Sequence, residues 1–63
     1  MNLLTVEQLP QYYPIFTQGM LRWLLFNRKE SGLSKAVVKI GRRIFIDKNE
    51  FDLWLLNQKE MEN

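Results

Sequence analysis

The chain has 63 residues, nine lysines and arginines against seven acids, and a formal net charge of +2. It has no cysteine and no histidine, which excludes disulfides, thiolate chemistry, imidazole bases and the common zinc sites. At this length we expect a single domain with a small apolar core, an ordered part at about residues 3 to 57, and a frayed tail at residues 58 to 63.

The first residues, MNLLTVEQL, lack the basic segment and the long apolar run of a signal peptide. Nowhere does the sequence contain the run of about 18 apolar residues that a membrane span needs. We therefore expect a cytoplasmic protein that does not enter a membrane.

The N-terminal segment predicts a first helix. Thr5 and Gln8 have the spacing of a capping box, in which each side chain accepts a hydrogen bond from the other residue's backbone N–H. A helix of about two turns should begin there, with Pro10 inside it and Pro14 ending it.

A second helix should follow Thr17, a typical N-cap, and extend from Gln18 to Lys29. At 100° per residue, one face of this helix is apolar and should pack: Leu21, Leu24, Leu25 and the stem of Arg28. The opposite face should point away from the core: Gln18, Arg22, Phe26 and Lys29. Gly19, in the first turn, either allows another surface to approach closely or is simply a tolerated glycine.

Residues 30 to 35 form a polar, glycine-containing connector. After it, residues 36 to 40 and 43 to 47 predict two strands joined by Gly41 and Arg42 in a tight turn of type II′. Because side chains alternate between the two faces of a strand, we expect four apolar side chains on one face of this hairpin: Val38, Ile40, Ile44 and Ile46. The other face would carry Lys39, Arg43 and Phe45, and Phe45 would need its own cover.

Asp47 and Glu50 have the spacing of a second capping box, which begins the last helix. Phe51, Trp54 and Leu55 recur at helical spacing and should face the core. Leu53 and Leu56 widen this stripe, and we expect them to contact the first helix or a second copy of the chain.

Positive charge is concentrated in the middle of the chain. Between Arg22 and Arg43 lie seven lysines or arginines and only one acid, Glu30. Such a basic block is a candidate binding surface for a polyanion.

The order of elements then predicts an α+β, mainly α fold: a winged helix-turn-helix of helix, helix, two-stranded hairpin wing and helix, whose second helix enters the major groove of DNA. Adjacent arginines on the hairpin repel one another without an anion and can reach phosphates or a narrow minor groove.

The segments "LTVEQL", "TQGMLRWLL" and "VVKIGRRIFIDKNEFDLWL" resemble the small winged helix-turn-helix proteins of the excisionase type, related to MerR-like DNA-binding domains and AlpA-type phage regulators. The resemblance covers about residues 3 to 56. It implies a non-enzymatic DNA-binding protein of a prophage, plasmid or other mobile element, acting in the bacterial nucleoid. Such proteins direct a recombinase toward excision or regulate promoters. Trp23, Phe26 and the long linker at residues 28 to 35 depart from the family pattern, and the rings could pack under that linker instead of touching DNA.

By this analogy Gln18 and Arg22 face the major groove, and Arg42 and Arg43 contact the minor groove or backbone. Lys35 and Lys39 are expected to contact phosphates rather than bases, because lysine carries a point charge and lacks the paired N–H donors of arginine. The complete predicted DNA-binding set is Thr17, Gln18, Gly19, Arg22, Lys35, Lys39, Arg42 and Arg43. For Arg22, the alternatives to base contact are phosphate contact and plain solvation; for the arginine pair, the alternative is a solvated turn.

The expected partner is double-stranded DNA, together with an integrase or recombinase and cooperative self-association on DNA; we expect no small-molecule ligand, cofactor or metal. An enzyme is the weakest hypothesis, because Glu50 and Asp52 lie two residues apart on a helix and point to different sides. The stronger rival is a protein-binding adaptor on the same scaffold, with its partner surface at Trp23, Phe26, Leu53 and Leu56.

Overall fold

The computed structural model describes residues 2 to 59, which form an α+β fold that is about half helical. Its elements are β1 (Leu3–Leu4), α1 (Leu9–Tyr12), α2 (Gln18–Phe26), α3 (Arg28–Ser31), a 3₁₀ helix (Leu33–Ala36), β2 (Val37–Ile40), β3 (Arg43–Asp47) and α4 (Lys48–Asn57). Most of the tail predicted to fray, residues 60 to 63, lies outside the described residues. Within residues 2 to 59, no helix combines the length and the apolar character needed to cross a membrane.

The first predicted helix is shorter than expected. The capping box is present: Thr5 N donates to Gln8 Oε1 at 3.0 Å, and Gln8 N donates to Thr5 Oγ1 at 3.1 Å. However, residues 6 to 8 form turns, and α1 is a single turn that has Pro10 among its first positions. Tyr13, which precedes Pro14, ends it by leaving the helical conformation, at φ −131° and ψ 80°.

The second predicted helix is confirmed up to Phe26. Thr17 Oγ1 accepts a hydrogen bond from Met20 N at 3.1 Å, as an N-cap should. The helix ends earlier than predicted because Asn27 leaves the helical conformation, while its side-chain amide donates to Trp23 O. Arg28 Nη1 donates to Leu25 O at 2.9 Å, so this guanidinium caps the end of α2.

The segment predicted as a polar connector is instead α3 followed by the 3₁₀ helix, with Gly32 between them at φ +81°. Leu33 and Ala36 in the 3₁₀ helix are both fully buried. Ala36, predicted as the first strand residue, therefore belongs to the preceding helical turn and to the core.

The sheet has three antiparallel strands in the order β1-β3-β2, one more than the predicted hairpin. Leu4 pairs with Ile46 and Leu3 with Asp47, and Lys48 N donates to Asn2 O beyond this pair. The strand β3 is therefore central, and both Leu4 and Ile46 reach the core.

Helix α4 begins at its predicted cap, although Asp47 Oδ1 accepts from Asn49 N at 3.1 Å rather than from Glu50. Phe51 and Trp54 are buried, Leu55 is partly buried, and Trp54 Nε1 donates to Ser31 O at 2.8 Å. Leu53 and Leu56 are exposed and do not extend the buried stripe, and their contact with the first helix or with a second copy stays a prediction. The remaining core side chains come from the N-terminal half: Leu4, Leu9, Phe16, Leu21, Leu24 and Leu25.

Candidate nucleic-acid interface

The outward face of α2 carries the polar side chains that the sequence placed there. Leu21, Leu24 and Leu25 are buried, which fixes the rotation of the helix. The opposite side chains are exposed: Gln18, Arg22 and Phe26. Lys29, also predicted on this face, is exposed but lies in α3. Thr17 and Gly19, at the start of the helix, are exposed as well. A Cβ placed on Gly19 would meet no atom within 4 Å, so this part of the helix surface is open.

Two aromatic rings also lie on this outward face. The Trp23 side chain is 63% exposed and the Phe26 side chain is 87% exposed. The alternative that these rings pack under the segment at residues 28 to 35 is therefore wrong, because that segment folds back with Leu33 and Ala36 in the core.

The hairpin ends in a tight turn of the predicted kind. Gly41 has φ +61°, and Arg42 is not among the residues with positive φ, which is the combination of a type II′ turn. Both residues are exposed. The turn therefore presents Arg42 to solvent at the end of the sheet.

The predicted faces of the hairpin are wrong by one residue. The register pairs Ile40 with Arg43, Lys39 with Ile44, and Val38 with Phe45. Paired residues point to the same side of a sheet. Arg43 thus shares a face with Ile40 and Phe45, whereas Lys39 lies on the opposite face with Ile44.

Arg43 supplies the cover that Phe45 needs. Its guanidinium carbon lies 5.4 Å from the centre of the Phe45 ring, a cation–π arrangement. A guanidinium stacked on a ring in this way is held in one orientation and still presents N–H donors at its edge.

Both hairpin arginines line a cleft that the sequence did not predict. Its volume is about 290 Å³, and its other walls are the N-terminal segment and one strand residue: Thr5, Val6, Glu7 and Ile44. The pairing of β1 with β3 explains this, because continuing its antiparallel register brings residues 5 to 7 alongside residues 45 to 43. The Glu7 carboxylate is the acid of this cleft, and no local sequence signal places it there.

Lys35 lies apart from the hairpin turn. It lines a second cleft, of about 360 Å³, between the 3₁₀ helix and α4, where Glu50, Leu53 and Trp54 are among its neighbours. The structure therefore brings Arg42 and Arg43 together but does not place Lys35 in their cleft.

The cations of α2 and the hairpin take part in no salt bridge within residues 2 to 59. The salt bridge found there joins Lys48 Nζ to Asp52 Oδ2 at 3.2 Å. Asp52 also accepts a hydrogen bond from the Tyr13 hydroxyl, and this bond lowers the pKa of the Asp52 carboxyl. Burial and the contact with Asp52 raise the pKa of Tyr13. These groups connect the end of α1 to α4. Among the described residues, Arg22, Lys39, Arg42 and Arg43 form no salt bridge, although Glu7 lines the cleft of the two hairpin arginines.

The described residues contain no group of three or more acidic side chains that could hold a metal ion. The candidate interface thus consists of exposed guanidiniums, an ammonium group, amide groups and two rings, which can bind an anion and contact apolar atoms.

The chain was compared with models of known families, with curated proteins and with solved structures, and it matches none of them.

Proposed function

We propose that this protein is a sequence-specific DNA-binding protein of a mobile element that acts as an excisionase through a winged helix-turn-helix. In this proposal α2 enters the major groove, and the β2–β3 hairpin lies on the minor groove or backbone. The supporting observation is that the cations of both elements are exposed and form no salt bridge within residues 2 to 59. Glu7 is the acid that lines the cleft of the hairpin arginines, and neighbouring cations that no salt bridge neutralises repel one another.

The shape of α2 supports this role. Its apolar side is used for packing, so its other side is available along the length of the helix. Gln18 and Arg22 lie one turn apart there, and both side chains can form paired hydrogen bonds with base edges, Gln with adenine and Arg with guanine. Gly19 adds no side chain between them and leaves room for a groove wall.

The small size of the domain limits its affinity. A module of this kind buries less than about 1,000 Å² of protein surface on DNA. We therefore expect one copy to bind weakly, and adjacent copies or a recombinase on the same DNA to supply further contacts. The excisionase role depends on such a recombinase, whereas an AlpA-like transcriptional regulator would use the same DNA contacts without it.

Fluorescence anisotropy on a labelled duplex of about 25 base pairs, with salt varied from 50 to 200 mM, tests DNA binding. The variant Arg42→Ala should make the negative slope of log affinity against log salt shallower by about 0.9, because one phosphate contact is lost. Lys59→Ala removes the same charge at the end of α4 and should leave the slope unchanged. Glu7→Gln should tighten binding, because it removes the acid from the arginine cleft.

Equal effects of Arg42→Ala and Lys59→Ala would show that only net charge matters and would refute the placement of the hairpin. Absence of salt-dependent duplex binding by the wild-type protein would refute DNA binding altogether. The exposure of Trp23 and Phe26 favours a second candidate, the protein-binding adaptor. An adaptor predicts binding to a protein partner that is unaffected by salt in this range and by Arg42→Ala.

A further inference from the structure

Trp23 and Phe26 form the apolar part of the outward face of α2, which the pairing of Gln18 and Arg22 with bases does not explain. Helical spacing places Gly19 one turn before Trp23, and Arg22 one turn before Phe26. The rings are therefore side by side with the predicted base-contacting residues. Their exposed fractions, 63% and 87%, exclude a role in the core of the described fold.

The charges around the rings indicate what covers them. Helix α2, from Gln18 to Phe26, has no acidic residue, and Arg22 lies one turn before Phe26 and directly before Trp23 in sequence. An apolar protein surface would gain from the rings but would have to desolvate this cation. A duplex offers both features together, since its phosphates are anionic and the thymine C5-methyl groups are apolar points on the floor of the major groove.

We infer that Trp23 and Phe26 contact thymine methyl groups in the major groove and make the protein prefer sites with thymine at the contacted positions. This inference rests on the proposed function, because it requires α2 to lie in the groove. Contact between an aromatic side chain and the thymine methyl group is an established form of base recognition. Removal of one buried methyl group should weaken binding about fourfold.

The experiment compares thymine with deoxyuridine, which pairs identically but lacks the methyl group. A preferred site is first selected by the wild-type protein from a pool of random duplexes. Its thymines are then replaced singly by deoxyuridine, and the dissociation constants are measured by anisotropy. The expected result is a loss of about fourfold at each contacted thymine and no change at the others.

Variants separate this inference from the function on which it rests. For each of the variants Trp23→Ala and Phe26→Ala, there should be at least one contacted position at which the thymine and deoxyuridine duplexes are bound with equal affinity. Arg42→Ala should weaken binding to both forms and keep their ratio. Tyr12→Ala is the matched control, since it removes an exposed ring from α1 and should keep both affinity and ratio. Circular dichroism of each variant serves as the control for folding.

Salt-dependent duplex binding that is indifferent to deoxyuridine, or a selection that returns no preferred site, would overturn the inference and leave DNA binding intact. The inference is also overturned, with DNA binding intact, if the Trp23 and Phe26 variants change only the cooperative binding of further copies to the duplex. The rings would then contact a second copy of the chain. Absence of any duplex binding would overturn the proposed function itself.

Discussion

Replacing Phe51 with alanine should remove most of the stability of the domain. The Phe51 side chain has no exposed surface and is in contact with three other rings. Ring centres lie 4.9 Å away for Tyr13, 5.5 Å for Phe16 and 5.4 Å for Trp54. The substitution thus opens a cavity at the point where α4 meets the N-terminal segment.

A buried Phe→Ala change costs about 3–5 kcal/mol, and the number of ring neighbours places Phe51 at the upper end of this range. At roughly 0.05–0.15 kcal/mol per residue, a domain of this size has a total free energy of unfolding of only about 3–9 kcal/mol. Phe51→Ala should therefore be largely unfolded at 25 °C or melt far below the wild-type protein.

Urea denaturation followed by circular dichroism measures this effect. Leu53→Ala, on the same helix but with an exposed side chain, is the control and should change the free energy of unfolding by less than about 0.5 kcal/mol. Equal stability of the two variants would show that Phe51 is not at the centre of the core and would refute the packing described above.

Three other substitutions test the turn, the start of α2 and the ion pair. Gly41→Ala should lower the free energy of unfolding by about 1–2 kcal/mol, because alanine is strained at φ +61°. Gly19→Ala, in open space on a helix, should leave the protein as stable or more stable by up to about 1 kcal/mol, and a loss of stability there would contradict its helical placement. The Tyr13 hydroxyl lowers the pKa of the Asp52 carboxyl, so the stability from this charge is present above the ordinary pKa of 3.8 and is lost as the pH falls below it. Urea titrations should accordingly show Asp52→Asn as less stable than the wild-type protein at pH 7, by less than about 1 kcal/mol for so exposed a pair. The difference should shrink as the pH falls below 3.8, and a difference that does not shrink would contradict the charge-based explanation.

Local sequence signals predicted the ends of several elements correctly. Thr5, Thr17 and Asp47 all accept hydrogen bonds from backbone N–H groups at the starts of helices or turns, and Gly41 adopts the positive φ that its turn needs. These signals are reliable because each depends on atoms only two or three residues away.

Features that depend on distant residues were missed. The strand β1 has only two residues, and its existence depends on pairing with Ile46 and Asp47 across the chain. The predicted faces of the hairpin were wrong for a local reason: the residues on either side of a two-residue turn oppose each other, so Ile40 and Arg43 share a face.

The candidate interface shows the same division. Exposure of Gln18 and Arg22 follows from the helical period that buries Leu21 and Leu25, and the sequence predicted it. The approach of Glu7 to the hairpin arginines follows from the sheet order, which the sequence did not predict.

The support of α2 differs from that expected of two consecutive helices. Helix α1 is one turn long, and a single turn is not stable without tertiary packing. The 3₁₀ helix, most of which was predicted to be a polar connector, packs against both α2 and α4 and places Leu33 and Ala36 fully in the core. The outward face of α2 is therefore held in position from behind by the segment that follows it in sequence. Any ligand bound by Gln18, Arg22, Trp23 or Phe26 meets a face whose orientation depends on Leu33 and Ala36.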